Sequence, residues 1–289
     1  MAQFNLITWN IQWGRGCDGR VDLRRIVDTA RAMADFDVLC LQEVARNFPG
    51  LAGSRGEDQF RLLAELLPGY VAIEGVGTDV RAGNNARRQF GNMILTRLPA
   101  LQSFRHLLPW PADPGVPSMQ RVAVETVLQA PWGPLRVTTT HLEYYSARQR
   151  TAQIERLREL QAEAAAHAQD LDHSRKEGGP FQNAARPASS ILTADFNFRP
   201  DDPLHARLQA SLGDNTPRYV DAWQIRNPGL PHAPTIGVFD RDQWPEPFTC
   251  DFVFITEDLA DRVREVRVNS DTDASDHQPV VLTLNADAR

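Results

Sequence analysis

Cysteine is scarce in this chain: Cys17, Cys40 and Cys250 are odd in number and far apart. No spacing among them suggests a disulfide framework or a zinc site, and Cys40, set in an apolar run, reads as a core residue. No apolar stretch is long enough to span a bilayer. The opening Met1-Ala2-Gln3-Phe4 enters a strand-like run at once, without the basic and apolar regions of a signal peptide, so a cytoplasmic protein is the expectation. There is no Lys/Arg run of the kind that marks a nucleic-acid patch or a membrane-surface helix. The formal net charge is -6. An acidic chain can still act on phosphates when a metal supplies positive charge, so this balance weakens the case for tight non-specific DNA binding without excluding DNA. No fixed-period repeat is visible, and nothing points to a protein partner.

What is present is ordinary globular material. The 289 residues, 42% hydrophobic and 24% charged, suffice for one large α/β domain or two small ones, with a proper core. Phe4–Trp9, Val38–Leu41, Met93–Leu95, Ile191–Ala194, Phe252–Ile255 and Val280–Leu284 read as strands. Asp22 can cap a helix with Leu23, Ile26, Val27 and Ala30 on one face; Phe60, Leu63 and Leu67 mark a second helix. Val122–Leu128, a Pro-Trp-Gly-Pro turn and Leu135–His141 form an antiparallel hairpin, and Ser146 caps a long helix carrying Ile154, Leu157, Leu160 and Ala164. Helices between some strands and hairpins between others imply a mixed sheet. Gly75–Gln89, Leu101–Ser118, Asp172–Ser189 and Asn227–Pro247 read as long loops within a single domain, residues 1–289.

Chemistry collects at strand ends. Thr8-Trp9-Asn10, Gln42-Glu43, Thr140-His141-Leu142, Asp195-Phe196-Asn197 and Ser275-Asp276-His277 each set polar residues at the edge of an apolar run, and Asp251 opens another strand. Strand ends cluster at one edge of a sheet, so these residues can converge. Singly, each has a plainer reading. Asn10 could be a turn residue, Glu43 a solvated strand end and His141 a hydrogen-bonded core histidine in register with Leu135, Val137 and Thr139. Asp195 and Asn197 could make an Asx turn, Asp276 a helix cap, and Asp251 an ion pair.

In their order these motifs resemble the endonuclease/exonuclease/phosphatase superfamily. Gly91-Asn92, the apolar run after it, and Thr96-Arg97-Leu98-Pro99 add to the likeness. The resemblance, from Thr8 to Val281, implies a four-layer αββα sandwich: two mixed, mainly antiparallel sheets packed face to face with helices outside. It also implies hydrolysis of phosphate esters by in-line attack of water. Glu43 is then the best hard-oxygen ligand for Mg²⁺, which Mn²⁺ could replace, with Asn10 helping through its amide oxygen and Asp276 as a second ligand or a helper of the first. Asp195 would orient or deprotonate the water and Asn197 would place water and phosphate. His277 would hydrogen-bond a phosphate oxygen, oriented by Asp251, and His141 would contact phosphate or leaving group.

Thr140-His141-Leu142 is similar to the deoxyribonuclease, sphingomyelinase, phosphatase and tyrosyl-DNA phosphodiesterase branches. Glu143, Ser146, Arg150 and Gln153 resemble the last of these. Ser146 and Arg150 are therefore candidate substrate contacts, as are Arg121, which opens the central hairpin, and Asn92 of the Gly-Asn segment. Ala194 departs from the glycine usual before the Asp-x-Asn aspartate. The leading expectation is a phosphodiesterase acting on nucleic acid or a DNA end. The alternatives are a phosphomonoesterase of sugar, inositol or lipid phosphates and, from another class, a non-catalytic binding module.

Overall fold

Alternation along the central strands decides which side chains meet between the sheets. In β1 (Gln3–Asn10), Phe4 and Leu6 face one core while Ile7 and Trp9 face another, as a pleated strand buried on both faces requires. β2 (Val38–Arg46) repeats this, with Val38 and Cys40 on the first side and Leu39 and Leu41 on the second. The structure, a computed structural model, describes residues 2–83, 85–169, 186–213 and 215–287.

The remaining strands are β3 (Val71–Arg81), β4 (Arg87–Thr96), β5 (Ala100–Leu107), β6 (Val122–Ala130), β7 (Gly133–His141), β8 (Ser190–Asp195), β9 (Tyr219–Asp221), β10 (Asp251–Thr256), β11 (Val263–Val268) and β12 (Val280–Asn285). They form two six-stranded sheets, ordered β11-β12-β1-β2-β4-β3 and β5-β6-β7-β8-β10-β9. Each has one parallel pair, β1 with β2 and β7 with β8; the other pairs are antiparallel. The inter-sheet core holds Phe4, Leu6, Val137, Ile191, Val253 and Leu282.

Helices α1 (Leu23–Met33) and α2 (Gln59–Leu66) cover the first sheet through Ile26, Val27, Phe60 and Leu63. Helices α3 (Ala147–Gln169) and α4 (Pro203–Gln209) cover the second through Ile154, Leu157, Leu160 and Leu208. A short helix, α5 (Ala222–Arg226), follows β9. This is the expected αββα sandwich. Asp22 accepts the Arg24 and Arg25 backbone N–H groups as the α1 cap, and Ser146 Oγ accepts the Gln149 N–H at the start of α3.

Two loop expectations are corrected. Gly75–Gln89 lies mostly in the β3–β4 hairpin and Leu101–Leu107 in β5. Both β3 and β5 are edge strands with one side in solvent, so neither needs the strong alternation by which a strand is read. Glycines blur β3 further. At Gly75 an added Cβ would lie 1.9 Å from Val124 Cγ2, so the close approach of the two sheets demands glycine there. The expected loop at 172–189 falls outside the described residues over 172–185. Residues 227–247 do form an irregular segment, anchored where Ile236 bridges to both Phe248 and His277.

Candidate active site

The inter-sheet face changes character toward one rim. Beyond the apolar core, Gln42 Nε2 donates to Thr8 Oγ1 of the neighbouring strand at 3.1 Å and across the sheets to Thr139 Oγ1 at 2.8 Å, and Thr193 Oγ1 donates to Thr139 Oγ1. Two residues further along the same face stand Asn10, His141 and Asp195, at the ends of β1, β7 and β8. The parallel pairs β1/β2 and β7/β8 bring these C-terminal ends to one edge, and β10 starts there, with Asp251 paired to Asp195. Alternation, parallel pairing and sheet packing therefore assemble the constellation.

Glu43 reaches the rim differently. Leu41 and Val44 both pack toward the helices, and the β2–β4 register shifts between them. This bulge takes Glu43 out of the ladder with φ 62°. Gln12, Trp13 and Asn197 also have positive φ, at 44°, 46° and 54°. Left-handed backbone at four non-glycine positions around one site is strain held by the surrounding structure.

Asn10 Nδ2 donates to Glu43 Oε1 at 3.1 Å and Asp195 Oδ2 at 3.0 Å, while its Oδ1 accepts the Gln12 N–H. The sequence pointed to the amide oxygen as the useful atom; here the amide nitrogen ties the two carboxylates together. Asn197 N–H donates to Asp195 Oδ1 at 3.0 Å, leaving Oδ2 facing His141 Nε2 at 3.3 Å and His277 Nε2 at 3.7 Å. The other ring nitrogen of His277 lies 2.8 Å from Asp251 Oδ2, which also accepts the Thr235 hydroxyl at 2.6 Å. Asp276 Oδ2 accepts from Gln12 Nε2 at 2.8 Å.

Burial and neighbours set the two histidines apart. Burial, reinforced by the Arg121 guanidinium, pushes His141 down to about 3, so it is neutral at ordinary pH. Burial would lower His277 too, but the Asp251 and Asp195 carboxylates outweigh it and hold the imidazolium well above its usual range. Glu43 is pushed up to about 7, by burial first and by Asp276 second, and burial also raises Asp276.

Glu43, Asp195 and Asp276 thus crowd one rim, and among the described residues none forms an ion pair with arginine. Carboxylate and amide oxygens with unbalanced negative charge fit a hard divalent cation. His141 Nδ1, buried and without a hydrogen-bond partner among the described residues, lies 3.8 Å from Glu43 Oε1.

Of the expected substrate contacts, Arg121 lines the cavity above this rim. Its Nε pairs with Glu143 at 3.2 Å and its Nη1 is buried without a hydrogen-bond partner among the described residues. Arg150 donates to the Glu143 and Tyr144 carbonyls, Ser146 Oγ lies 2.5 Å from Asp113 Oδ2, and Asn92 donates to the Val122 carbonyl. These three are engaged in holding loops and sheets. Gln12, Thr235 and the Trp9 indole, whose Nε1 donates to the His277 carbonyl at 2.9 Å, were not anticipated. Gln12 follows Asn10 closely enough to have been suspected, whereas Thr235 had no signal. The cavity is about 700 Å³, with Trp13, Phe48, Tyr144, Tyr145 and Trp244 among its walls.

The comparisons bear on family and fold. Residues 7–171 match the family described as the Endonuclease/Exonuclease/phosphatase family. An endonuclease/exonuclease/phosphatase from Beutenbergia cavernae is similar at 26% identity, over 99% of this chain and 72% of that one, with a TM-score of 0.68. Two others share the fold: D. rerio TDP2 complexed with single-strand DNA product (17% identity, 99% and 100% covered, TM-score 0.63) and the Bacteroides thetaiotaomicron mannosyl-6-phosphatase Bt3783 (18%, 96% and 98%, TM-score 0.64). No curated protein matches the chain.

Proposed function

Because the chain belongs to the endonuclease/exonuclease/phosphatase family, whose members hydrolyse phosphoesters, we propose that its rim does so with a bound divalent cation, Mg²⁺ or in its place Mn²⁺, on diesters of the nuclease or DNA-end-processing kind. The observation that carries this reading is Asp195 Oδ2 lying within 4 Å of both His141 Nε2 and His277 Nε2.

Glu43 would hold the cation, with Asp276 and Asn10 beside it, and the cation's positive charge would make the phosphate attackable. Asp195, fixed by Asn197 through Oδ1, takes the proton from the attacking water through Oδ2. His277 presents its Nε2–H to a phosphate oxygen as charge grows there, with Asp251 holding the ring by its other nitrogen. His141 stays neutral and offers hydrogen bonding without a second positive charge. Arg121 Nη1, unpartnered among the described residues, supplies a cationic donor at the cavity wall. The aromatic walls suit a flat or apolar leaving group.

One observation favours the second reading, a phosphomonoesterase of sugar, inositol or lipid phosphates. The adjoining cavity carries Asp201, Asp202 and Glu246 against a single Arg199, which suits a neutral leaving group better than a long polyanion. The test is a panel with Mg²⁺ or Mn²⁺: single- and double-stranded DNA, 5′-tyrosyl DNA, bis-p-nitrophenyl phosphate, sugar and inositol phosphates. Diester hydrolysis that stops in EDTA supports the leading reading. Turnover confined to monoesters replaces it with the second, and activity undiminished by EDTA removes the cation.

A further inference from the structure

Behind the pair that positions His277 lies a thiol. Cys250 is buried, and its Sγ donates to Asp251 Oδ2 at 3.4 Å and stands 4.0 Å from His277 Nδ1. With the 2.8 Å between His277 Nδ1 and Asp251 Oδ2, these three atoms form a small triangle. A point equidistant from all three lies about 2 Å from each, close to the distances at which Zn²⁺ binds imidazole nitrogen, carboxylate oxygen and thiolate sulfur. The second oxygen of Asp251 is buried with no hydrogen-bond partner among the described residues, so it too can turn to an ion. The donors of Asp195, Cys250, Asp251 and His277 all lie within 4.8 Å of one another. Cys250, 2% exposed, lies in the wall of the adjoining cavity, about 750 Å³.

This donor set differs in kind from the oxygen cluster of Glu43, Asn10 and Asp276. Mg²⁺ takes hard oxygen ligands and ignores thiols, whereas Zn²⁺ and Cd²⁺ favour sulfur and nitrogen. We propose that Cys250, Asp251 and His277 form a second, thiolate-containing cation site, selective for Zn²⁺ and Cd²⁺, whose occupation silences the hydrolytic centre. The incoming ion replaces the thiol proton of Cys250 and the Nδ1 proton of His277. It breaks the Asp251–His277 hydrogen bond that orients the imidazole toward phosphate.

The silencing rests on the hydrolase reading, but binding does not. Cd²⁺ titrated into the Mg²⁺-supplied protein should raise an ultraviolet thiolate-to-metal absorption saturating at one ion per chain. Cys17→Ser should keep this band and Cys250→Ser should lose it. Cys250→Ser should keep Mg²⁺-supported turnover while needing roughly tenfold more Zn²⁺, or beyond, for half-inhibition. A band that survives Cys250→Ser, or equal Zn²⁺ sensitivity of the two proteins, overturns the proposal. Should Cys250→Ser fail to fold, X-ray absorption of the Zn²⁺-loaded native protein decides. A sulfur neighbour at about 2.3 Å is expected, and a shell of nitrogen and oxygen alone refutes the site. A missing band sinks the site without touching the hydrolytic reading; loss of hydrolysis alone leaves the band.

Discussion

Glu43→Gln should make the protein more stable and less active at once. Burial and Asp276 lift the Glu43 carboxyl from 4.5 to about 7. Since the folded value lies above the unfolded one, the folded state binds more protons between these pH values, and cation-free stability falls as pH rises from about 4.5 to 7. Fully developed, the shift corresponds to about 3 kcal/mol. Glu43 keeps 17% of its side-chain exposure, so about 2–3 kcal/mol is the fair expectation. Glutamine removes that penalty and can still accept from Asn10 Nδ2. In EDTA at pH 8, Glu43→Gln should therefore melt roughly 3–5 °C above wild type, with the difference shrinking at pH 5. Calorimetry at the two pH values measures this. Saturating Mg²⁺ should stabilise wild type and not the variant, and kcat should fall by about 10²-fold or more. A variant that melts below wild type at pH 8, or gains as much from Mg²⁺, would refute the view of Glu43 as a charge held in waiting for a cation.

Other outcomes follow from the same contacts. Asp251→Asn removes the largest influence raising His277, leaving Asp195 and Asp276 against burial, so activity that needs the imidazolium should be lost at lower pH than in wild type, with kcat down by about 10²–10⁴; an unchanged pH–rate profile would contradict this. Burial alone would raise Glu125, but His106, Arg136 and Arg186 hold it at about 2. Its contribution of about 3 kcal/mol is complete above pH 4.5 and lost as pH falls toward 2, and Glu125→Gln should show that loss at pH 7 in urea unfolding. Gly75→Ala should cost about 1–3 kcal/mol through the clash with Val124, read from the urea midpoint with hydrolysis retained.

Much of this was legible in the sequence because the site lies where strands end. Apolar alternation located β1, β7 and β8, and the polar residues closing those runs are the ones the rim gathers. What stayed hidden depends on partners distant in the chain. The bulge that turns Glu43 outward arises from a register shift against β4. Thr235 bonds Asp251 only because an irregular segment bridges to Phe248 and His277. The edge strands β3 and β5 draw their order from neighbours already in the sheet. Asn92, Ser146 and Arg150 carried a resemblance that their hydrogen bonds here spend on scaffolding.

Crystals of the native chain soaked with Mn²⁺ and inorganic phosphate test the central claim most directly. The anomalous map should show an ion about 2.2 Å from a Glu43 carboxylate oxygen, with the phosphate within hydrogen-bonding reach of His277 Nε2 and between the two histidines. An ion bound away from Glu43, or a phosphate out of reach of His277 and Asp195, would contradict it.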